Sequence, residues 1–572
     1  MNHKEGMENF IAFKTSDKET NIKNFNTSRL NNHPHFIKPK EFNFYASQKE
    51  KSSILISGLT EAHEEMLLGH FRSFGHKIER MPTPDFDSFQ IGKEYCNRGQ
   101  CNPAYYTIGN LIKYLQQLAR ETSIEKVEKK YVFFTVGGCG PCRFGMYESE
   151  YRKALKDAGF ANFRLFIVQQ SGGLKQIARI KEADDINNQN LSSDESPGIV
   201  VDREFIFGLV IALLIGDCLN QMVDKLKPYE VDEGAAMRAR EKAMTILRKG
   251  IEEKRNMFVA LRKVKKLFDQ VECDFMRIKP LVKITGEFWA SSTEGQGNYF
   301  LKNWLQREGA EVTQEPLTGW LEYLLFIDEL SIKDRRNIAQ TKTGLKNKAK
   351  PYIKLMKNFA LRQIIKGYYN LYRAALGFKL NNTVNKPLLA RYAHEYFNTR
   401  IQGGEGYMEV GSLIHCAKKN KAHMLISVKP FGCMPSTGSD GIQSKVLLDY
   451  PNIIFLSVET SGDSEVNFKS RVQMKLFEAK QKAKEEFETN IKKNHIDLDL
   501  IKEFVAGNPQ YRRGTFFFNI VKTGTGISYL VKMNRRLKSP IGRIWHFFSK
   551  SIYNSLRLSE VIKKTLISKI KK

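Results

Sequence analysis

The sequence predicts an α/β protein built from two doubly wound parallel sheets, with added helical segments and a basic C-terminal helical tail. Short apolar strands alternate with amphipathic helices four times along the chain, which is the pattern of parallel α/β units. Longer stretches with apolar stripes and charged faces lie between these units and predict helices. At 572 residues the chain also exceeds a single ordinary domain.

Each unit contributes two strands. The predicted strand pairs are 53–58 with 77–81, 131–136 with 163–169, 282–286 with 311–312, and 422–428 with 453–458. In such sheets the ligand sites lie beyond the carboxyl ends of the strands, where the strand order reverses. We therefore expect the loops that follow these strands to carry the functional residues.

The pattern divides the chain into five segments. We expect a flexible polar N-terminal segment at 1–50, a first α/β domain at 51–200, a helical segment at 201–279, a second α/β domain at 280–490 with a helical insertion at 337–398, and a C-terminal extension at 491–572.

The net charge of +29 is unevenly spread along the chain, with the densest excess of basic residues at the C-terminus. From residue 532 to 572 twelve Lys or Arg face one acid, Glu560. The apolar residues of this tail recur at helical spacing; they are Ile541, Ile544, Trp545, Phe548, Ile552 and Leu556. Such a helix either lies on an anionic membrane surface or an acidic partner, or packs on the body of the protein with solvated lysines.

The sequence predicts neither export nor a membrane span. The first residues lack the order of a signal peptide, and the longest apolar run, FIFGLVIALLIGDCL, falls short of the roughly 18 residues that a span needs. We therefore expect a cytoplasmic protein. In a reducing compartment clustered cysteines more often bind metals or carry out redox chemistry than form disulfides.

Six of the eight cysteines are predicted to lie in loops rich in Gly, Pro and Asn, where the backbone can direct several sulfurs to one point. They are Cys96, Cys101, Cys139, Cys142, Cys416 and Cys433. Cys218 and Cys273 lie in predicted helices and are interpreted as packing residues. Six thiolates suffice for two cubane clusters with three ligands each, or for one four-ligand cluster with two thiols left over.

Other interpretations of the cysteines remain open at this point. The spacing of Cys139 and Cys142 also fits a thioredoxin-like redox pair. Zinc is the main alternative if only four thiols converge. A protein that binds nucleic acid, with a structural metal site, is a third possibility, because basic stretches such as 346–362 would contact phosphates.

Four stretches carry a resemblance to a known family. They are CNRGQCNPAYYTIGNLIKYL, GGCGPCRFGMYESEYRKALKDAGF, ITGEFW and KPFGCMPSTGSDGIQ with the following YPNIIFLSVETSGDSEVNFKSRV. The chain resembles the 2-hydroxyacyl-CoA dehydratase superfamily over roughly residues 50–490, and within it the branch of double-cubane-cluster and activase-associated proteins.

The resemblance implies two Rossmann-like domains facing a cleft that holds an iron–sulfur centre. It implies that the six loop cysteines bind the cluster, as a double cubane or as a single 4Fe-4S unit. A separate ATP-dependent activase with its own cluster would supply low-potential electrons, and the substrate would be an acyl-CoA or another small molecule. A homodimer is compatible with this scheme. The same cysteines would also suit a non-catalytic electron-transfer subunit.

Two further residues are weaker candidates for catalytic roles. Arg143 follows Cys142 directly and could stabilise the charge of a cluster or of a substrate anion. Glu287 in ITGEFW begins a strand-to-helix turn and could transfer a proton if it is desolvated. Alternatively, Arg143 pairs with an acid, and backbone N–H groups hold the Glu287 carboxylate at the helix start.

Overall fold

Two parallel β-sheets of four strands each organise the part of the chain that the structure describes. The computed structural model describes residues 44–138, 142–169, 198–335, 345–377, 382–401, 404–516 and 524–540. These residues all fall within one compact unit, Phe42–Lys572. The predicted N-terminal segment up to residue 43, Cys139, and the apolar residues of the basic tail lie outside the described residues.

The strands agree closely with the sequence prediction. They are β1 Ser53–Ile56, β2 Lys77–Arg80, β3 Tyr131–Gly137, β4 Arg164–Gln169, β5 Leu281–Gly286, β6 Glu311–Gln314, β7 Met424–Pro430 and β8 Ile454–Thr460. The first sheet has the order β2-β1-β3-β4 and the second has the order β6-β5-β7-β8. Every neighbouring pair is parallel. The loops after β1 and β3, and after β5 and β7, therefore emerge at the same edge of their sheets.

Helices connect and surround the strands. In the first half they are α1 Glu61–Ser73, α2 Phe86–Tyr95, α3 Asn102–Glu121, α4 Ile124–Lys130, α5 Tyr147–Asp157, α6 Arg203–Leu226, α7 Ala235–Glu252 and α8 Met257–Asp269. In the second half they are α9 Phe288–Ser292, α10 Leu301–Arg307, α11 Leu317–Arg335, α12 Leu345–Ala375, α13 Lys386–Ala393, α14 Gly406–Lys419, α15 Met434–Asp449, α16 Glu465–Lys493, α17 Leu498–Ala506 and α18 Thr525–Lys538.

Each sheet buries both of its faces. Along β1 the side chains of Ile54 and Ile56 enter one apolar core, and Leu55 between them enters another. The second sheet behaves alike, since Met424 and Ile426 of β7 enter one core and Leu425 enters a different one. This alternation follows from the period of two residues along a strand. Both faces are covered, which explains why the strand sequences are almost continuously apolar.

Polar side chains cap the N-termini of several helices. Asp85 and Ser88 form a capping box at the start of α2, with the Ser88 N–H 2.9 Å from the Asp85 carboxylate. The side chains of Asp202 and Asn385 cap α6 and α13, each by accepting a hydrogen bond from a backbone N–H of the first turn. The local sequence thus determines where these helices begin.

The apolar helix α6 modifies one expectation from the sequence. In the described residues it is the one helix that is long and apolar enough to cross a membrane, judged by length and composition only. Half of its most apolar window is buried within the protein. The fully buried residues Leu214, Ile215 and Leu219 contribute to the same core as β1, as in the core helix of a soluble protein, which passes the same test.

Candidate functional site

Three of the candidate cysteines occupy equivalent positions, each directly before a helix. Cys101 precedes α3, Cys433 precedes α15, and Cys142 precedes a short 3₁₀ helix, Arg143–Met146, that leads into α5. Cys101 and Cys433 are buried and Cys142 is half-buried. Two of them follow strands, since Cys142 lies beyond β3 and Cys433 beyond β7. These two cysteines therefore lie where the sequence placed them, beyond the carboxyl ends of strands.

Hydrogen bonds fasten these three turns together. The backbone N–H of Asn102, beside Cys101, donates to the carbonyl oxygen of Phe431 over 3.2 Å. The guanidinium Nε of Arg143, beside Cys142, donates to the carbonyl oxygen of Gly432 over 3.0 Å. The Cys433 turn is thus bonded to both of the others, and the two sheets meet at these turns.

Gly432 is required at this junction. Its φ of +77° lies in the left-handed region, which favours glycine over other residues. A Cβ atom on Gly432 would also lie 3.2 Å from the carbonyl oxygen of Gln100, next to Cys101. The close approach of the Cys433 turn to the Cys101 turn therefore depends on the absence of a side chain.

The surroundings of these thiols favour the protonated form over the thiolate. Burial raises the pKa of Cys142 to about 12, and the charges of Glu405 and Glu287 raise it further. Burial also raises the pKa of Cys433, with the same two carboxylates contributing. The Tyr147 hydroxyl lies 2.9 Å from the Cys101 sulfur and favours its thiolate by hydrogen bonding.

Two glutamates lie at the starts of neighbouring helices and influence these thiols. The Glu287 carboxylate accepts from the N–H of Ala290 over 2.8 Å at the start of α9. The Glu405 carboxylate, before α14, accepts from the N–H of Phe288 and from the indole N–H of Trp320, each over 3.1 Å. Burial raises the pKa of both carboxyl groups, and the Glu287 charge raises that of Glu405 further. Such a pair retains a proton near neutral pH.

The Glu287 carboxyl group is both hydrogen-bonded at a helix start and desolvated. The structure confirms that backbone N–H groups hold its carboxylate at a helix start. It also provides the desolvation that a role in proton transfer requires, because burial is the largest cause of its raised pKa.

A buried carboxylate supports the first turn of α15. Glu409 is fully buried and accepts from the hydroxyl groups of Ser427 and Ser439 over 3.0 Å and from that of Ser436 over 3.2 Å. The buried ammonium group of Lys429 lies 3.5 Å from the same carboxylate. This network connects α14, β7 and α15, so it fixes the direction from which Cys433 enters the site.

Cys416 does not join this group, and the expectation that it lies in a loop is wrong. It lies inside α14, ten residues beyond the start of the helix at Gly406, which is about 15 Å along the helix axis. Burial raises the pKa of its thiol, and the charges of Lys283, Glu315 and Lys421 also act on it. Cys433 lies beyond the carboxyl end of β7.

Cys96 lies in the same apolar core as Cys101. It ends α2 and is buried in the core beside α3 and α5. Burial raises its pKa to about 12, and the Glu150 carboxylate on α5 raises it further. Cys218 and Cys273 are buried as expected, although Cys273 forms a β-bridge with Glu230 instead of lying in a helix.

The candidate cysteines offer the soft sulfur donors that iron–sulfur clusters and zinc both accept. Within the described ranges no group of three His, Cys, Asp or Glu side chains lies close enough to hold a single metal ion. A four-iron cluster binds each thiolate through a different iron, so its ligands do not need to touch. The chemistry of the donors, three soft thiols on fastened turns, fits such a cluster.

Arg143 has a defined structural role. Its Nε bonds the Gly432 carbonyl, so the guanidinium connects two cysteine turns. It also favours the thiolate of Cys101 electrostatically. Burial nevertheless raises the pKa of this thiol overall, and the suggested role of Arg143 beside a cluster or a substrate anion stays a prediction.

A cavity of about 230 Å³ opens elsewhere in the molecule, between Cys273, Arg277, Arg512 and Tyr529 among others. None of the six candidate ligand cysteines lines it.

Sequence reasoning missed Glu405 and Tyr147. A signal existed for Glu405, because the Gly-Glu pair at 404–405 precedes a helix just as Gly286 and Glu287 do. For Tyr147 no local signal distinguishes it from the other tyrosines, since its contact with Cys101 spans 46 residues.

Comparison with known proteins gave no match: no family model, no curated protein and no solved structure is similar to this chain at a significant level.

Proposed function

We propose that the protein is an iron–sulfur enzyme that holds one 4Fe-4S cluster through Cys101, Cys142 and Cys433. The reaction would be the low-potential reduction, or the radical dehydration, of a small substrate such as an acyl-CoA. A separate ATP-dependent activase in the cytoplasm would supply the electrons. The observation that carries the proposal is the hydrogen bonding of the three cysteine turns to one another.

The topology supports a ligand site at this position. In each sheet the first two strands along the chain lie on one side and the next two lie on the other. This is the strand order expected of doubly wound folds. In the second sheet the order reverses between β5 and β7. Glu287 follows the first of these strands and Cys433 follows the second. Ligands of such sheets bind at this reversal.

The residues around the cysteines suit a catalyst better than an electron carrier. A four-iron cluster supplies single electrons at low potential. Glu287 and Glu405 together would hold a proton beside the place where a substrate oxygen must be protonated before it leaves as water. A protein that only passes electrons has no need of two desolvated carboxyl groups. The hydrogen bond from Tyr147 would steady the Cys101 sulfur and adjust the potential of the centre.

The position of Cys416 favours a single cubane over a double one. Six ligands would require Cys96 and Cys416 beside the other four cysteines. Cys416 lies inside α14, about 15 Å along the helix from its start, whereas Cys433 directly precedes α15 beyond the carboxyl end of β7. Three thiolates leave one iron open to a substrate oxygen, as the proposed chemistry requires.

Anaerobic purification with iron and sulfide analysis tests the proposal. We expect about four iron and four sulfide per chain, with a reducible cluster signal in electron paramagnetic resonance. Cys433→Ser should lose most of the iron. Cys416→Ser, a substitution of an equally buried thiol, should retain it.

Three outcomes would contradict this assignment. Stoichiometric zinc without iron would exclude the redox function. Full iron content in Cys433→Ser would exclude the three-cysteine site. About eight iron per chain, with loss of half in Cys416→Ser, would establish the double cubane instead.

A further inference from the structure

The long helix α12 is apolar on two opposite sides. Its inner side packs on α6, α8 and α11 and buries a stripe of residues at spacings of three, four and seven. The stripe consists of Asn358, Ile365, Tyr369 and Tyr372, with Leu376 directly after the helix; Arg373 and Ala375 are also buried. This stripe accounts fully for the packing of the helix on the protein.

The outer side of α12 carries a second apolar stripe that faces solvent. Its members are Tyr352, Ile353, Met356, Phe359, Ile364, Tyr368 and Leu371, each between 36% and 71% exposed. From the first to the last of these residues the stripe runs about 28 Å along the helix. Large contiguous apolar surfaces of this kind mark sites of interaction with another molecule.

The stripe continues onto the neighbouring helix α6. The ring of Phe207, which is 43% exposed, contacts the ring of Tyr368 with centroids 5.2 Å apart. The exposed apolar surface is therefore formed by two helices that the core holds side by side. We call this surface, formed by the seven α12 residues and Phe207, the α12 face.

The charge of α12 has a single sign. Between Leu345 and Ala375 the chain has eight basic residues and no acid, a net charge of +8. Lys350 and Lys357 are exposed. Lys354 and Arg362 are paired with Asp328 and Glu329 of α11. The helix thus has no acid of its own to offset its positive charge, and the acids that pair with Lys354 and Arg362 belong to α11.

We propose that the α12 face docks on an anionic lipid surface, with the helix lying in the plane of the membrane interface. An apolar stripe flanked by lysines and bearing aromatic residues is the composition of helices that bind such interfaces. A lipid surface also suits a convex helix, because it deforms around the side chains and needs no matching groove. Exposed lysines gain from anionic headgroups through the electrostatic potential of the surface.

Charge and apolarity disfavour the other occupants. A second copy of the chain would bring two helices of net charge +8 together. Nucleic acid would satisfy the lysines but would leave Met356 and Phe359 against phosphates. An acidic protein partner remains as an outcome that the experiment distinguishes.

The chain offers a matched control on α16. There Met474 and Phe477 have the same spacing as Met356 and Phe359, and a lysine follows each methionine. The exposures are similar, 71% and 63% on α16 against 71% and 54% on α12. In contrast with α12, α16 carries five acids among its eight bases. The same substitutions in both helices therefore separate the α12 face from a general effect of exposed apolar residues.

Flotation of the full-length protein with lipid vesicles tests the proposal. We expect binding to vesicles of phosphatidylcholine with about 40% phosphatidylglycerol, and at least tenfold weaker binding to pure phosphatidylcholine. The double substitution Met356→Glu with Phe359→Glu should weaken binding at least tenfold. Met474→Glu with Phe477→Glu should leave it within twofold. Circular dichroism should be the same for all three proteins, because the substituted residues are exposed.

Several results would overturn the proposal. One is equal binding by the two double variants, which would assign lipid binding to another segment such as the basic tail. Another is failure of the unsubstituted protein to bind either type of vesicle. A change of oligomeric state in the α12 variant alone would assign the face to a second copy. Loss of affinity for RNA, or for a co-purifying acidic protein, without a loss of vesicle binding would assign it to that partner. Iron content should not change in any variant, so this test is independent of the proposed cluster.

Discussion

The guanidinium group of Arg143 and the carbonyl group of Gly432 are 289 residues apart in the chain and 3.0 Å apart in the structure. This contact joins the turn after Cys142 to the turn before Cys433, and so joins the first sheet to the second. It is a charge-assisted hydrogen bond in partly buried surroundings, where such bonds stabilise proteins more than they do at the surface.

Replacing Arg143 by alanine should lower stability more than replacing a surface arginine. We expect Arg143→Ala to reduce the free energy of unfolding by about 1.5–3 kcal/mol, because the Gly432 carbonyl loses a charged donor. Arg152→Ala removes an ion pair with Glu148 one turn along the same helix and should cost less than about 1 kcal/mol. Urea denaturation of both variants measures the difference. Equal losses would show that the contact between the turns contributes nothing specific.

Close packing of α2 on α3 should make Gly109 intolerant of a side chain. A Cβ atom there would lie 1.8 Å from the carbonyl oxygen of Ser88. We expect Gly109→Ala to cost more than about 3 kcal/mol, or to prevent folding, because two backbones would have to separate. Gly441→Ala in α15 meets no atom within 4 Å and should raise stability by up to about 1 kcal/mol. Thermal unfolding compares the two, and a mild effect at Gly109 would contradict this packing.

Glu64 should make the protein less stable as the pH rises. Burial raises its pKa to about 8, so between pH 4.5 and 8 the folded state keeps a proton that the unfolded state has lost. Stability therefore falls over this window. In Glu64→Gln the free energy of unfolding should fall by on the order of 2–4 kcal/mol less between pH 4.5 and 8 than in the parent protein. The glutamine can still accept from the Leu59 N–H, which lies 3.2 Å from the Glu64 carboxylate.

The neighbouring Glu61 provides the opposite control. Ion pairs with Arg80 and Arg240 accompany a lowered pKa of Glu61, so its contribution is present at neutral pH and is lost in acid. Glu61→Gln should therefore destabilise the protein at pH 7 and have less effect at pH 4. Urea unfolding at pH 4, 7 and 8.5 distinguishes the two residues; parallel pH profiles for both variants would show that the assignment is incorrect.

His70 should contribute to unfolding in acid. Burial, with the charge of His76, lowers its pKa to about 4. Between pH 4 and 6.5 the unfolded state binds a proton that the folded state does not, so stability is lost as the pH falls through this range. His70→Leu should retain about 2–3 kcal/mol more of its neutral-pH stability at pH 4.5 than the parent protein does. His394→Asn, at an exposed position, should follow the parent profile.

The strands could be predicted because each is a short apolar run beside a helix that is periodic over several turns. Their pairing followed from the rule that such units form parallel sheets. The position of Cys416 could not be predicted in this way. Helix α14 extends past it to Lys419 and ends at Asn420, whose φ of +46° stops the helix, and no glycine or proline there marks the boundary.

The site was predictable to the extent that its residues follow strands. Glycine- and proline-rich turns after β3 and β7 identified Cys142 and Cys433. The meeting of these turns with Cys101, and the approach of Glu405 to Glu287, depends on contacts between distant parts of the chain. Local sequence patterns carry no information on such distances.

The helix starts at the candidate site have an electrostatic consequence. Three helices of 14 residues or more begin there, α3, α14 and α15, and the amino end of each carries the equivalent of about half a positive elementary charge. Together these ends supply roughly 1.5 units of positive charge that no change of pH removes, because peptide dipoles do not titrate. An anion that enters among the three cysteines is attracted by the backbone itself, and a bare cation is repelled until the thiols have given up their protons.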